Sequence, residues 1–188
     1  MFCTDSNDAS LQSYTDRRVS KIRYLNHRDH ELPRKINTRI SDPLGLDLNG
    51  YPVPAENYQL MNYGIGGIIE LHIDSSHEVH YDEYEEYKRP VDWILGGERL
   101  MTFMVYLSNV THGGSTVFPL LGLSVAPVKG SALFWHTVNS AGEMDQRMKH
   151  AGCPVVYGDK WIVNKWIKWH HHMFSHPCLR DRKSFYKI

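Results

Sequence analysis

Within the stretch YGIGGIIELHIDSS, residues 63–76, a run rich in Ile carries His72 and Asp74, separated only by Ile73. On a β-strand, side chains two apart leave the same face of the sheet. The alternation therefore predicts that His72 and Asp74 share one face while Leu71 and Ile73 pack on the other. One imidazole and one carboxylate on one face are two members of a 2-His-1-carboxylate facial triad. That set holds non-haem Fe(II) and leaves coordination positions open. Taken alone, His-x-Asp is a short pattern, and a solvated strand face also accounts for it.

A third ligand has to come from the remaining His residues, of a total of 12. His77 and His80 lie in an acidic, Tyr-rich interruption, Ser75 to Glu98, that reads as a surface loop or lid and is a poor setting for rigid coordination. His112 sits in the turn VTHGG, where an exposed polar residue is the ordinary case. His136 ends ALFWH and is a serious rival, while His170, His171, His172 and His176 read as an exposed tail with casual zinc affinity. His150 is the best choice because of the residues after it. HAGCPVVYGDKWIVNKW reads as a strand, a Gly-Asp turn and a second strand opening with Lys160. A hairpin would bring Lys160 near His150. An iron oxygenase with a dicarboxylate co-substrate needs such a fixed cation to hold the far carboxylate away from the metal.

The elements that must position these groups are mostly strands. Residues 1–13 read as a flexible arm rich in Ser, Asp and Asn. From Tyr14 to Leu25, apolar Val19, Ile22 and Leu25 three apart predict a helix. ELPRKINTRISDPLGLDL predicts a second helix, with Ile36 and Ile40 four apart and a stop at Pro43 and Gly45. Beyond Pro54, YQLMNY, GIIELHI, LMTFMVYL, STVFPL, LSVAP, SALFWH, CPVVYG and KWIVNKWI are short, apolar or alternating, and divided by Gly, Pro and Asn. About eight such strands behind a helical start predict a mainly β fold, a sandwich or jelly roll braced by helices. The domain is expected over residues 14–180, with a tail over 181–188.

Bulk properties narrow the function classes. The chain has 188 residues, enough to bury a substantial core. Lys plus Arg and Asp plus Glu both number 21, so the basic balance that favours nucleic acid is missing. No apolar run approaches the roughly 20 residues of a membrane-spanning helix. The start, MFCTDSNDAS, lacks the basic and apolar regions of a secretory signal. Read literally, it predicts a cytosolic chain or a fragment of a longer one. Cys3, Cys153 and Cys178 fit one disulfide plus a spare thiol, or three reduced thiols.

RRVSKIRYL, INTRISDPLGLDL, NYGIGG, HID, YLSNVTHGGSTVFP, HAGCPVVYGDKW and NKWI occur in this order from about Arg17 to Arg180. Over that span the sequence resembles the catalytic domain of prolyl 4-hydroxylase alpha subunits, within the 2-oxoglutarate and Fe(II)-dependent dioxygenases. The resemblance implies a double-stranded β-helix with supporting helices. It implies hydroxylation of peptidyl proline at C4, of the procollagen type, coupled to decarboxylation of 2-oxoglutarate to succinate. Fe(II), O₂ and L-ascorbate would serve the reaction. His72, Asp74 and His150 take the iron-ligand positions, Lys160 pairs with the distal carboxylate of 2-oxoglutarate, and Tyr63 also contacts that co-substrate. Arg99 and Trp161 match positions near the peptide groove. Cys153 and Cys178 match a family disulfide formed in the lumen of the endoplasmic reticulum, and a protein disulfide isomerase is the implied partner. No membrane span or nucleic acid is implied.

Three departures bear on the substrate. Ile69 stands where the family usually has Tyr, Leu71 where it has Pro, and His136-Thr137 where it has Tyr-Asn. None removes an implied ligand or Lys160. The alternatives are the same chemistry on a different peptide, motivated by Ile69, and a shortened, non-catalytic paralogue that acts as a binding module.

Overall fold

Alternation by two along three long strands sorts the chain into layers. Strand β2 (Tyr58–Tyr63), β4 (Arg99–Tyr106) and β11 (Lys160–Lys168) lie side by side, with β11 in the middle. Gln59, Met61 and Tyr63 leave one face of β2, as do Lys160, Ile162, Asn164 and Trp166 on β11 and Thr102, Met104 and Tyr106 on β4. Of these inward positions, Met61, Tyr63, Met104, Tyr106 and Ile162 join Phe118, Trp135 and Val155 from other strands in an apolar core. Removing such side chains from water contributes about 1.5–3 kcal/mol each, before the entropy of ordering the chain is counted.

The computed structural model describes residues 20–26, 31–50, 54–75, 95–175 and 177. Eleven strands are found among them. Strands β1 (Lys21–Leu25) and β8 (Ala132–His136) flank the three long ones, giving the order β1-β2-β11-β4-β8. A second sheet, β3-β9-β6-β7, is formed by β3 (Ile69–His72), β9 (His150–Gly152), β6 (Thr116–Phe118) and β7 (Leu123–Val125). Strands β5 (Val110–Gly113) and β10 (Val155–Gly158) make a separate antiparallel pair. The two larger sheets share the apolar core, which gives the jelly-roll arrangement expected.

Helix α1 (Glu31–Leu44) braces the outer face of the five-stranded sheet. Its Ile40 packs with Leu46, Leu48, Ala55, Tyr58, Met101 and Ile167. Asn37 fastens it: its amide donates to the Leu48 carbonyl at 3.2 Å and its Oδ1 accepts from the Tyr58 hydroxyl at 2.6 Å. Pro43 sits in the last turn, and Gly45, at φ +63°, turns the chain out of the helix as a stop should.

The helix expected over Tyr14–Leu25 is overturned where the chain is described. Residues 21–25 form β1, an edge strand paired antiparallel with β2, and residues 14–19 lie outside the described residues. Ile22 and Leu25 are exposed, so the three-residue spacing buries no helical stripe, and pairing with β2 satisfies the backbone instead. Strand β5 also lies outside the expected set, in a segment with the look of a plain turn. HAGCPVVYG breaks into β9 and β10 at Cys153-Pro154. The expected arm over 1–13, the tail over 181–188 and most of the loop from Ser75 to Glu98 lie outside the described residues.

Candidate metal and co-substrate site

Strands β3 and β9 pair antiparallel, and His72 stands directly opposite His150. Their rings lie 4.3 Å apart between centroids. Asp74 is nearly fully buried and its carboxylate faces both imidazoles: Oδ1 is 3.7 Å from His72 Nε2 and Oδ2 is 3.6 Å from His150 Nε2. The three side chains offer donor atoms that all lie within 4.8 Å of one another. Among the described residues, this is the group of His, Cys, Asp and Glu able to hold a metal ion. His136 and His112 stand apart from it, and His171 lies instead 3.7 Å from Asp47. His77, His80 and His176 lie outside the described residues.

Asp74 does not share the strand of His72, as the alternation predicted. Strand β3 ends at His72, so Asp74 lies past it in a bend, and Leu71 is exposed rather than packed. The carboxylate reaches the histidines because other elements hold it. Thr102, fully buried on β4, donates its hydroxyl to Asp74 Oδ2 at 2.7 Å. Arg99 Nη1, at the start of β4, donates to the Asp74 main-chain carbonyl at 3.1 Å. Burial works against ionisation of Asp74, but His150 and His72, then Thr102 and Arg99, outweigh it and hold its pKa below the ordinary carboxylate value.

The residues fit a divalent cation. His72 Nδ1 lies 2.7 Å from the Glu70 carbonyl and His150 Nδ1 lies 2.9 Å from the Met148 carbonyl. A carbonyl only accepts, so each Nδ1 carries a proton, and each Nε2, turned toward Asp74, is the nitrogen that would ligate a metal. Two imidazole nitrogens and a carboxylate converging at 3.6–3.7 Å leave a gap that a divalent cation would fit. Trp135 packs over His150 with 4.8 Å between ring centroids, and Phe118 lies 5.4 Å away, which restrains that imidazole.

Lys160 is 3% exposed and opens β11, lining the same pocket as His72, Asp74 and His150. It arrives there by a different route from the expected hairpin. Strand β10 pairs with β5, the chain crosses at Gly158 and Asp159, and Lys160 enters the opposite sheet beside Tyr63. Lys160 therefore faces β9 from the other layer instead of neighbouring it. A Cβ on Gly152 would come 3.6 Å from Lys160 Nζ, so the missing side chain leaves room in front of the ammonium. Among the described residues Nζ has no hydrogen bond or ion pair; the rings of Tyr63 and Tyr106 lie 5.6 and 5.8 Å from it. Burial pushes its pKa down to about 8. Asn164 Oδ1 and Trp135 Nε1, buried in the same pocket, also have no hydrogen-bond partner among the described residues. A buried cation and two buried polar atoms without partners around one cavity fit an anionic, oxygen-rich small molecule.

Tyr63 is buried in the wall of this pocket and donates its hydroxyl to Met61 Sδ at 3.3 Å. Ile69, on β3, lines the pocket as well. Arg99 is engaged by Glu56 and Asp74, and its guanidinium lies 3.7 Å over the Trp166 ring. Trp161 points to the outer face, partly exposed, with its indole nitrogen donating to Asp159. Cys153 is disulfide-bonded, and Cys178 lies outside the described residues. Sequence reasoning missed Thr102, Glu56, Trp135 and Gly152. A lone Thr within the apolar strand LMTFMVYL was the one available signal.

Residues 58–168 match the family model described as the 2OG-Fe(II) oxygenase superfamily. Prolyl 4-hydroxylase subunit alpha-1 of Gallus gallus is 41% identical over 162 residues, which is 86% of this chain and 29% of that protein. Prolyl 4-hydroxylase subunit alpha-3 of Homo sapiens is 40% identical over 173 residues, 92% of this chain and 30% of that protein. The chain thus spans less than a third of the length of these curated relatives. Among solved structures, the 2OG complex of the viral collagen prolyl hydroxylase vCPH from Paramecium Bursaria Chlorella virus-1 superposes with a TM-score of 0.62. The two are 28% identical, and the match covers 79% of each chain.

Proposed function

Because the chain belongs to the 2OG-Fe(II) oxygenase superfamily, we propose that it hydroxylates peptidyl proline at C4, consuming 2-oxoglutarate and O₂. The observation that carries this reading is the convergence of His72, Asp74 and His150 on a pocket whose far wall holds the unpartnered ammonium of Lys160. His72, Asp74 and His150 would hold Fe(II), and Lys160 would hold the distal carboxylate of 2-oxoglutarate. When bound, iron would activate O₂ at the expense of 2-oxoglutarate, so that one oxygen atom enters the keto acid as it loses CO₂ to become succinate and the other is inserted into a C–H bond. The chain's own share is geometry. The hydrogen bonds at each Nδ1 aim both imidazoles, Thr102 aims the carboxylate, and the apolar walls from Met61, Met104 and Ile162 limit water near the reacting atoms. Tyr63 would close the co-substrate end beside Lys160, and Arg99 would border the peptide, whereas Trp161, on the outer face of β11, stands away from the pocket.

L-Ascorbate belongs to the proposal as the reductant that returns oxidised iron to Fe(II). The disulfide at Cys153 supports an oxidising compartment, for which the lumen of the endoplasmic reticulum is proposed, with a protein disulfide isomerase as partner. The relatives named as prolyl 4-hydroxylase subunits support the same reading.

The test is incubation with Fe(II), ascorbate, 2-oxoglutarate and a proline-rich peptide, with succinate and hydroxyproline as readouts. Succinate that depends on peptide and is lost in His72→Ala supports the proposal; no succinate above that control sinks it. A second reading, the same chemistry on a different peptide, is favoured by Ile69 in the pocket lining. Mass spectrometry of products across a peptide panel separates the two. Peptide binding without any succinate would favour the non-catalytic module.

A further inference from the structure

Asp74 lies beyond the end of β3, so no ladder hydrogen bond of that strand fixes its main chain. Arg99 supplies a fixed donor to its carbonyl. A guanidinium on a long side chain positions another group only if it is itself held still. Glu56 does this. Arg99 Nε donates to Glu56 Oε1 at 2.7 Å and Nη2 donates to Oε2 at 2.9 Å, a two-pronged pair that fixes the plane of the fork. Trp166 backs that plane at 3.7 Å. The remaining Nη1 is left aimed at Asp74, 25 residues away in sequence.

Glu56 is in turn anchored independently of the metal-binding strands. Its amide donates to the Trp166 carbonyl at 2.8 Å, and Lys165 Nζ donates to its carbonyl at 2.6 Å. Lys168 Nζ lies 3.0 Å from Oε1. Arg99 is pinned along its main chain as well, with its amide donating to Glu98 and its carbonyl accepting from the Thr137 hydroxyl. Burial works against a charged Glu56, but Arg99 and Lys168 outweigh it and hold the carboxylate ionised.

We infer that Glu56 is a positioning residue for the metal site, acting through Arg99 to hold the main chain of Asp74 in place for its carboxylate to ligate. The inference rests on the proposed metal role of His72, Asp74 and His150. It gives Arg99 work in the free protein, before any peptide arrives. It also divides the cations around Glu56 by function. Arg99 reaches the site, whereas Lys168 touches the same carboxylate and makes no hydrogen bond or ion pair with Asp74.

The experiment uses the full chain and Co(II) as a spectroscopic stand-in for Fe(II), without substrate or turnover. Affinity and the visible absorption bands of bound Co(II) are read for wild type, Glu56→Gln, Arg99→Lys and Lys168→Met. Glu56→Gln keeps the shape but weakens the grip on the fork, and Arg99→Lys keeps the charge but loses the fork. Each is expected to weaken Co(II) binding about tenfold or more and to shift its bands. Lys168→Met is expected to stay within about threefold of wild type, because it disturbs the same network away from Asp74. Should Glu56→Gln fail to fold, Arg99→Lys carries the test. Equal Co(II) affinity in wild type and Glu56→Gln, or an equal loss in Lys168→Met, overturns the inference alone. Wild type that binds Co(II) no better than His72→Ala overturns the proposed metal site and this inference with it.

Discussion

Replacing Lys160 by Met should make the protein more stable and a poorer binder of 2-oxoglutarate at once. Lys160 is buried without a counter-charge among the described residues, and its pKa falls from 10.5 to about 8. Keeping that ammonium charged in the free protein therefore costs about 3 kcal/mol, at 1.36 kcal/mol for each tenfold change in proton affinity. Proton counting gives the sign. Below about pH 8 the group is protonated in both folded and unfolded chains, and the whole cost is carried. Between about 8 and 10.5 the unfolded chain binds more protons than the folded one, so stability climbs with pH until the cost is gone. Met is close in volume and has no charge to bury, so at pH 7 Lys160→Met should gain up to about 3 kcal/mol, or about 6–12 °C in Tm. Its stability should also lack the climb above pH 8. If Lys160 holds the co-substrate carboxylate as proposed, the variant should lose about 2 kcal/mol or more of 2-oxoglutarate binding, roughly 30-fold. Thermal unfolding across pH 7–10, with and without 2-oxoglutarate, measures both effects. A variant that melts below wild type, or that binds 2-oxoglutarate as tightly, refutes the assignment of Lys160.

Thr102→Val removes the hydroxyl that donates to Asp74 Oδ2 and should weaken metal binding about 10- to 100-fold at nearly constant side-chain volume; a metal titration within threefold of wild type would count against this. Ile69→Tyr places an aromatic face in the pocket lining and should lower the KM for a proline-rich peptide by about 2- to 10-fold, with a smaller change in the KM for 2-oxoglutarate. Steady-state kinetics that move the second constant and not the first would show that residue 69 borders the co-substrate instead. Gly152→Ala would place a methyl 2.8 Å from Ile69 Cγ2 and 3.6 Å from Lys160 Nζ. Calorimetry should find weaker 2-oxoglutarate binding with metal affinity retained, and an unaltered co-substrate affinity would place that ligand elsewhere.

Much of the chemistry was legible in local patterns. His72 and Asp74 two apart, and Lys160 ten residues after His150, named the groups that the fold gathers into one pocket. The inward faces of β2, β4 and β11 were legible too, because a half-buried strand writes its orientation into every second residue. Helix α1 announced itself through Ile36, Ile40 and its Gly45 stop. Strand β1 did not, since an exposed edge strand has no buried face to impose a pattern, and three apolar residues spaced three apart imitated a helix. Periodicity reports which way a side chain points and says nothing of which strand lies alongside. Only the assembled sheets could therefore put His150 opposite His72, send Lys160 to the facing layer, and bring Thr102 and Arg99 across 28 and 25 residues of chain to hold Asp74. The residue types determined what this protein can bind; pairing between distant strands decided where the binding groups meet, because those contacts are non-local and leave no trace in neighbouring residues.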